Sequence, residues 1–139
     1  MIPPDPTSRD QRLALVTDVF PAAAYVGAIF YTGLIRLAEL PELGVVPTDK
    51  LLHAAAFGGL ALLLVRAGRA LLPRLTFGKR LLFGALGASF FGALLEVCQY
   101  FVPYRSAEFL DWVADTVGAS CAIGLLALFV QLVPRRAHG

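Results

Sequence analysis

The sequence predicts an all-α membrane protein, a bundle of four transmembrane helices. Of its 139 residues, 58% are hydrophobic and only 16% are charged, whereas a water-soluble domain has about 45 to 50% apolar and about 25% charged residues. The charged residues lie between four apolar runs, and a helix needs about 20 mostly apolar residues to cross a bilayer. This composition excludes a disordered chain, a nucleic-acid-binding module and a disulfide-rich secreted scaffold. The length favours one domain, residues 1–139.

The first predicted span covers residues 13–35, and Asp18 is the only charged residue in its apolar run. Arg9 and Arg12 resemble the start of a cleaved signal peptide, but only five residues separate Arg12 from Asp18, too few for the apolar core of such a peptide. A retained helix is therefore the better interpretation, preceded by a loose tail over 1–12. Asp18 is expected only to favour the N-terminus of this helix.

The second span is predicted at 49–68. Its uncharged run is only 15 residues long, so we expect the side chains of Arg66 and Arg69 to extend towards the lipid headgroups. The third span is predicted at 80–102 and the fourth at 109–133.

The distribution of Lys and Arg predicts the orientation of the bundle. Nine of the 12 basic residues lie on one side of the predicted spans, namely Arg9, Arg12, Arg66, Arg69, Arg74, Lys79, Arg80, Arg135 and Arg136. The positive-inside rule therefore predicts that both termini are cytoplasmic and that the side with Arg36, Lys50 and Arg105 faces outward. The alternative, a nucleic-acid or anionic-lipid patch over 66–80, is weaker because topology alone accounts for these charges.

Ionisable residues on three spans lie at a similar depth below this outward side. At 1.5 Å per residue, His53, Glu96 and Asp115 lie ~8 to 10 Å inside the ends of their helices. A charged side chain within hydrocarbon costs at least ~2.5 kcal/mol, so we expect these residues to face one another. Small residues lead to them on the third and fourth helices, which are therefore expected to pack together along Gly84, Ala88, Gly92, Gly118 and Ala122.

The predicted polar cluster has eight members, which are Asp49, Lys50, His53, Glu96, Gln99, Arg105, Asp111 and Asp115. We expect Arg105 to form an internal salt bridge with one of the acids Glu96, Asp111 and Asp115. His53 is expected to be held by Asp49 and Glu96, and Lys50 is interpreted as a solvated surface charge.

No catalytic residue, metal ligand or cofactor is assigned to the cluster. The mixed set of nitrogen and oxygen ligands would suit Zn²⁺ or Mn²⁺, but protons can neutralise buried acids without a metal. Glu96 is estimated to lie deepest and is the acid expected to be protonated. Cys98 and Cys121 lie at different depths and are expected to be free thiols.

Four short motifs follow one another in the order Asp49-Lys50-x-x-His53-x-x-x-Phe57, Glu96-x-x-Gln99, Pro103-x-Arg105 and Asp111-x-x-x-Asp115-x-x-Gly118. This arrangement resembles the VanZ-like family of bacterial membrane proteins, from Asp49 to about Gly124. The resemblance implies a multi-pass protein of the bacterial cytoplasmic (inner) membrane. It also implies a link to antibiotic resistance, since the founding member is associated with reduced susceptibility to teicoplanin. Most members have no assigned activity.

Three functional hypotheses stay open. The first, which the resemblance favours, is a non-enzymatic cell-envelope protein that binds or shields a lipid-linked or lipophilic ligand at the outer leaflet. The second is a small membrane enzyme that acts on an envelope lipid or glycan headgroup by acid–base chemistry, and the third is a structural assembly module. Chemistry with paired histidines is excluded, because His53 is the only histidine within a span. Membrane lipids are the expected partners, nucleic acid is not, and a homo-oligomer is an open alternative.

Overall fold

The computed structural model describes residues 10, 12–35 and 48–133, and the regular structure within these ranges is entirely helical. Helix α1 spans Phe20–Leu34 and follows a π-helical segment, Leu15–Val19. The other helices are α2, Thr48–Leu71, α3, Phe77–Tyr100, and α4, Phe109–Leu132. With its preceding turns the first helical stretch runs over Arg12–Leu34, and all four stretches are long and apolar enough to cross a membrane. The predicted all-α fold with four spans is confirmed.

The predicted orientation concerns termini that lie largely outside the described residues. The tail over 1–9 and the C-terminal residues 134–139 belong to this part of the chain, as do residues 36–47. Cytoplasmic termini therefore stay a prediction. We name the two ends of the bundle by their residues: the acidic end lies at Thr48, Tyr100 and Phe109, and the arginine end lies at Leu71, Phe77 and Leu132.

Short connections make α2, α3 and α4 alternate in direction. Helix α2 is followed closely by Pro73, which cannot continue a helix ladder. Helix α3 then begins after Thr76, whose hydroxyl accepts a hydrogen bond from the backbone N–H of Lys79. As a result, α2 and α4 run parallel, and both begin at the acidic end.

Helix α2 lies at the centre of the bundle. Within the apolar stretch of α2, 44% of the residues are buried inside the bundle. The corresponding fraction is 22% for α3 and 11% for each of the other two spans. Phe57, Leu60 and Ala61 on α2 are almost completely inaccessible. The other helices expose large apolar side chains, including Phe20, Phe90 and Phe129, as expected for surfaces in contact with lipid.

Glycines on α3 and α4 allow both helices to approach this central helix. A Cβ atom at Gly84 would lie 2.6 Å from the carbonyl oxygen of Ala61, and one at Gly118 would meet the backbone of Ala54. A Cβ atom at Gly92 would instead lie 2.6 Å from a carboxylate oxygen on α4. The prediction that α3 and α4 pack along their small residues is therefore right at Gly92 and wrong at Gly118, whose partner is α2. Gly84 lies against both helices, because a Cβ atom there would also lie 3.4 Å from Ile123 on α4.

The two cysteines, Cys98 and Cys121, are free, as predicted.

Candidate functional site

The first turn of α2 pairs with the first turn of α4 through Lys50. Its Nζ lies 2.6 Å from Asp111 Oδ1 and 3.0 Å from Glu108 Oε2. Only 20% of the Lys50 side chain is exposed, so the interpretation of this residue as a solvated surface charge is wrong. Asp49 lies at the rim, 3.8 Å from the same ammonium group and half exposed. The parallel helices bring these first turns side by side.

One turn further along both helices, His53 pairs with Asp115. His53 Nδ1 lies 2.9 Å from Asp115 Oδ1, and the Asp115 side chain is completely buried. The other ring nitrogen, Nε2, lies 3.9 Å from Asp111 Oδ2. The imidazole ring is also stacked parallel to Phe57. The prediction that Asp49 and Glu96 hold this histidine is wrong, because the residue in register with it across the α2–α4 contact is Asp115.

Glu96 extends from α3 to the beginning of α4. Its Oε2 accepts a hydrogen bond of 2.7 Å from the backbone N–H of Glu108, the N-cap residue of α4. This contact satisfies one of the backbone donors that a helix N-terminus leaves without a partner. Its Oε1 is buried and has no hydrogen-bond partner among the described residues.

Gly92 makes room for the carboxylate of Asp115. It lies one turn before Glu96 on α3, and a Cβ atom there would come within 2.6 Å of Asp115 Oδ2. This oxygen is likewise buried, and no donor in the described part of the chain contacts it. A larger residue at 92 would therefore displace the carboxylate that holds His53.

Gln99 and Arg105 do not join the acids. Gln99 is 1% exposed, and its Nε2 donates to the carbonyl oxygen of Gly33 at 3.0 Å. The hydroxyl of Tyr104 donates to the next carbonyl oxygen, that of Leu34. Gln99 and Tyr104 therefore attach α1 to the rest of the bundle. Arg105 forms no ion pair within the ranges that the structure describes, so its expected salt bridge with the acids is wrong.

We define the acidic-end cluster as Lys50, His53, Glu96, Glu108, Asp111 and Asp115. Five of its members belong to the predicted polar cluster, while Glu108 does not. The available signal for Glu108 was its position at the start of a helix, three residues before Asp111, where a carboxylate is favoured. Lys50 is the basic residue that pairs with the acids of the cluster, a role that was expected of Arg105.

Three members of the cluster converge closely enough to share a ligand. One nitrogen of His53 and one carboxylate oxygen each of Glu96 and Asp111 lie within 4.8 Å of one another. Imidazole and carboxylate groups can transfer protons, accept hydrogen bonds from a ligand or coordinate a cation. The arrangement offers all three kinds of chemistry at one point.

The arginine end contains a further buried carboxylate, that of Asp18, whose partners the sequence pattern did not predict. Asp18 Oδ1 accepts from Arg66 Nη2 at 3.1 Å, and Oδ2 accepts from Arg69 Nε at 3.1 Å and Nη2 at 2.7 Å. Its side chain is completely buried. We call these three residues the Asp18 clamp. The expectation that Asp18 merely favours a helix N-terminus is wrong, because the π-helical segment that contains it packs against α2 and both arginines hold its carboxylate.

The backbone beside Asp18 explains part of this arrangement. Pro21 has no backbone N–H, so it cannot donate to the preceding turn, and that turn is π-helical. Arg66 Nη2 lies 3.3 Å from the carbonyl oxygen of Thr17. One guanidinium group thus contacts both this backbone acceptor and the carboxylate of Asp18.

The chain matches the model of a known protein family. The model of the family described as VanZ/LLP1 matches residues 7–130. The matched range contains the first three helices, all but the end of α4, and both the acidic-end cluster and the Asp18 clamp. No curated protein and no solved structure matches the chain.

Proposed function

Because this chain belongs to the VanZ/LLP1 family and has four helices able to cross a membrane, we propose that it is a non-enzymatic protein of the bacterial cell envelope. It lies in the cytoplasmic membrane with its acidic end outward, and there it binds a lipid-linked or lipophilic ligand of the outer leaflet. By shielding that ligand it contributes to tolerance of teicoplanin-like lipoglycopeptides.

Incomplete pairing within the acidic-end cluster is the observation that supports this proposal. Glu96 is 9% exposed, and its Oε1 has no hydrogen-bond partner in the described ranges. A buried acceptor left without a donor costs about 1 to 3 kcal/mol, and more when it is charged. A purely structural cluster would be expected to satisfy its buried groups. A bound ligand that supplies a donor or a cation at this point would remove the cost.

The charge of the cluster favours particular ligand groups. The cluster contains four carboxylates, those of Glu96, Glu108, Asp111 and Asp115, but only one ammonium group and one imidazole. Such a site binds hydroxyl and ammonium donors better than bare anions. Sugar headgroups and amine-bearing glycopeptides carry donors of this kind, so they are the preferred ligand class.

Lipid mass spectrometry of the purified full-length protein tests ligand binding. Wild type is expected to retain a headgroup-bearing lipid that Glu96→Gln and Asp111→Asn retain at least about tenfold less, since about 1.4 kcal/mol of lost binding is a factor of ten. Asp10→Asn, an exposed carboxylate distant from the cluster, is the matched control. Equal retention by wild type and the two cluster variants would contradict the proposal.

Cysteine labelling tests the orientation on which the proposal depends. In a background with Cys98→Ala and Cys121→Ala, we expect Ser106→Cys to react with a membrane-impermeant thiol reagent in intact cells. Arg74→Cys, in the α2–α3 connection, should react only after permeabilisation. The opposite pattern would place the acidic end in the cytoplasm and exclude an outer-leaflet ligand.

A second candidate function, a small membrane enzyme acting on a lipid or glycan headgroup, is favoured by the pairing of His53 with Asp115. A carboxylate that orients one ring nitrogen leaves the other available as a general base, and Nε2 lies on the side of Asp111. This alternative predicts a chemically altered headgroup when lipid extracts are incubated with wild type. The altered product should be absent with His53→Gln, and an unchanged extract with wild type would exclude the enzyme.

A further inference from the structure

We propose that the acidic end binds a divalent transition-metal cation, with His53, Glu96 and Asp111 as ligands and Asp115 as the positioning residue for His53. One potential ligand atom from each of the three lies within 4.8 Å of the others. The inference rests on the proposed function, because it names what enables this cluster to hold a headgroup. Zn²⁺ and Mn²⁺ are the cations that suit one imidazole and two carboxylates.

The orientation of His53 is that of a metal ligand. Its Nδ1 lies 2.9 Å from the carboxylate of Asp115. A carboxylate partner accepts a hydrogen bond from Nδ1–H, so the lone pair of the ring resides on Nε2. Metal-binding histidines are commonly oriented by such an outer carboxylate. Nε2 is also the nitrogen that lies near Asp111, 3.9 Å from Oδ2.

Glu96 provides the second, independent observation. More than nine-tenths of this residue is buried, and the backbone N–H of Glu108 holds its Oε2 in place. The remaining oxygen, Oε1, lacks a hydrogen-bond donor in the part of the chain that is described. A carboxylate that is fixed at one oxygen and free at the other, next to an oriented imidazole, is ready to coordinate a cation.

Asp111 divides its two oxygens between different partners. Oδ1 accepts from Lys50 at 2.6 Å, whereas Oδ2 lies towards His53. Lys50 is engaged with Asp111 and Glu108, so its ammonium group contacts neither oxygen of Glu96 within salt-bridge distance. A cation bound between Oδ2, Glu96 and His53 would therefore compensate charge that Lys50 does not reach.

Only small movements are needed to form the site. In a tetrahedral site with zinc bonds about 2.0 to 2.2 Å long, neighbouring ligand atoms lie about 3.3 to 3.6 Å apart. The three candidate atoms lie within 4.8 Å of one another, so movements of about 1 Å or less in each side chain would form tetrahedral zinc geometry. Three protein ligands leave an open coordination position, where a hydroxyl oxygen of a sugar headgroup would bind.

Metal titration of the full-length protein in detergent, after removal of metals with a chelator, tests the inference. Calorimetry with ZnCl₂ and with MnCl₂ should show one site in wild type. His53→Gln and Glu96→Gln should weaken binding of the cation at least about tenfold, and Asp115→Asn by about tenfold or more, in line with other outer-shell changes. Asp10→Asn should bind as wild type does. Binding that is equally strong in wild type and both ligand variants would overturn the site.

Pulsed EPR of the Mn²⁺-loaded protein identifies the ligand directly and does not depend on whether the variants fold. Wild type should show coupling of Mn²⁺ to an imidazole nitrogen nucleus, because His53 is the nitrogen ligand. Folded Asp115→Asn should retain this coupling, since it keeps the ligand and changes only its positioning. Absence of nitrogen coupling in wild type would overturn the assignment.

The metal site and the proposed ligand-binding function can fail separately. If the metal-free protein retains the headgroup lipid and binds no cation, the metal site is overturned and the proposed function stands. If the protein binds the cation at His53 and retains no lipid under any condition, the metal site is supported and the proposed function is contradicted.

Discussion

At the arginine end both carboxylate oxygens of Asp18 accept hydrogen bonds from Arg66 and Arg69, whereas at the acidic end Glu96 and Asp115 each have one buried oxygen without a partner in the described residues. Both places contain buried acids in a chain of membrane-spanning helices. Burial of a charge therefore does not by itself indicate a binding site. The capacity for further bonds distinguishes the acidic-end cluster from the Asp18 clamp.

The basic residues that pair with the acids at the two ends differ in their exposure. The side chains of Arg66 and Arg69 are 59% and 66% exposed, so each guanidinium group also reaches the surroundings of the bundle. Lys50 is only 20% exposed and pairs with acids on the helix beside it. The clamp therefore attaches α1 at the surface, while the cluster lies between packed helices.

The largest effect is expected from Gly118→Leu, which would separate α2 and α4, two of the three helices that carry the acidic-end cluster. A side chain at 118 would collide with the backbone of Ala54, and backbone cannot move aside as a flexible side chain can. We expect loss of most folded protein in size-exclusion chromatography in detergent. Gly124→Leu, where the added Cβ has open space, is the control. Equal yields of the two variants would show that the α2–α4 contact does not support the cluster.

Arg69→Ala should be the next most damaging change, and it tests whether the Asp18 clamp is structural. Arg69 supplies two of the hydrogen bonds to the buried Asp18. Removal of one member of a fully buried pair costs about 3 to 5 kcal/mol. Arg69 itself is 66% exposed and Arg66 remains, so we expect a smaller loss of about 2 kcal/mol. Unfolding in detergent should show this loss, and little loss for Arg74→Ala. If both variants unfold alike, the clamp contributes nothing to stability.

Glu96→Gln should change stability by less than about 1 kcal/mol, because the amide keeps an oxygen that can accept from the N–H of Glu108. Ligand retention should nevertheless fall. Glu96→Ala removes the acceptor and should destabilise by about 1 to 2 kcal/mol, as loss of a helix cap does. A loss for Glu96→Gln as large as that for Arg69→Ala would mean that Glu96 is paired as completely as Asp18.

The smallest effect is expected from Arg105→Ala. Within the described chain Arg105 makes no ion pair, and a change at such a position usually alters the free energy of unfolding by no more than about 0.5 kcal/mol. Lys50→Ala is the informative comparison, because it leaves Asp111 and Glu108 without their shared cation. Both variants are compared by thermal unfolding. Equal destabilisation would contradict the conclusion that Lys50, and not Arg105, is the basic residue that stabilises the acids.

The spans and the depth of the acids could be predicted because both follow from position along the chain. Apolar runs identify membrane helices, and a rise of 1.5 Å per residue places His53, Glu96 and Asp115 at one level. The pairing partners depend in addition on how each helix is rotated about its axis. The local sequence does not show that α2 and α4 pack with Lys50 opposite Asp111. Arg105 was therefore expected to be the basic residue that pairs with the acids.

Asp18 illustrates the same limit in another part of the fold. Its position as the only charge in the first apolar run indicates that it needs a partner. Arg66 and Arg69 are far away in sequence, and only the packing of α1 against the end of α2 brings them together. Helix α2 extends to Leu71, beyond the predicted end of the span at 68, so Arg69 as well as Arg66 lies on regular helix at this contact.

The Asp18 clamp also has a consequence for how the chain is inserted during synthesis. When the first span enters the bilayer, its carboxylate has no arginine beside it, which adds up to about 3 kcal/mol to the cost of insertion. Both arginines lie at the far end of the very next span. The charge is therefore covered as soon as the first two helices have formed a hairpin, before α3 and α4 have been inserted, so the biosynthetic unit of this protein is expected to be that helical pair.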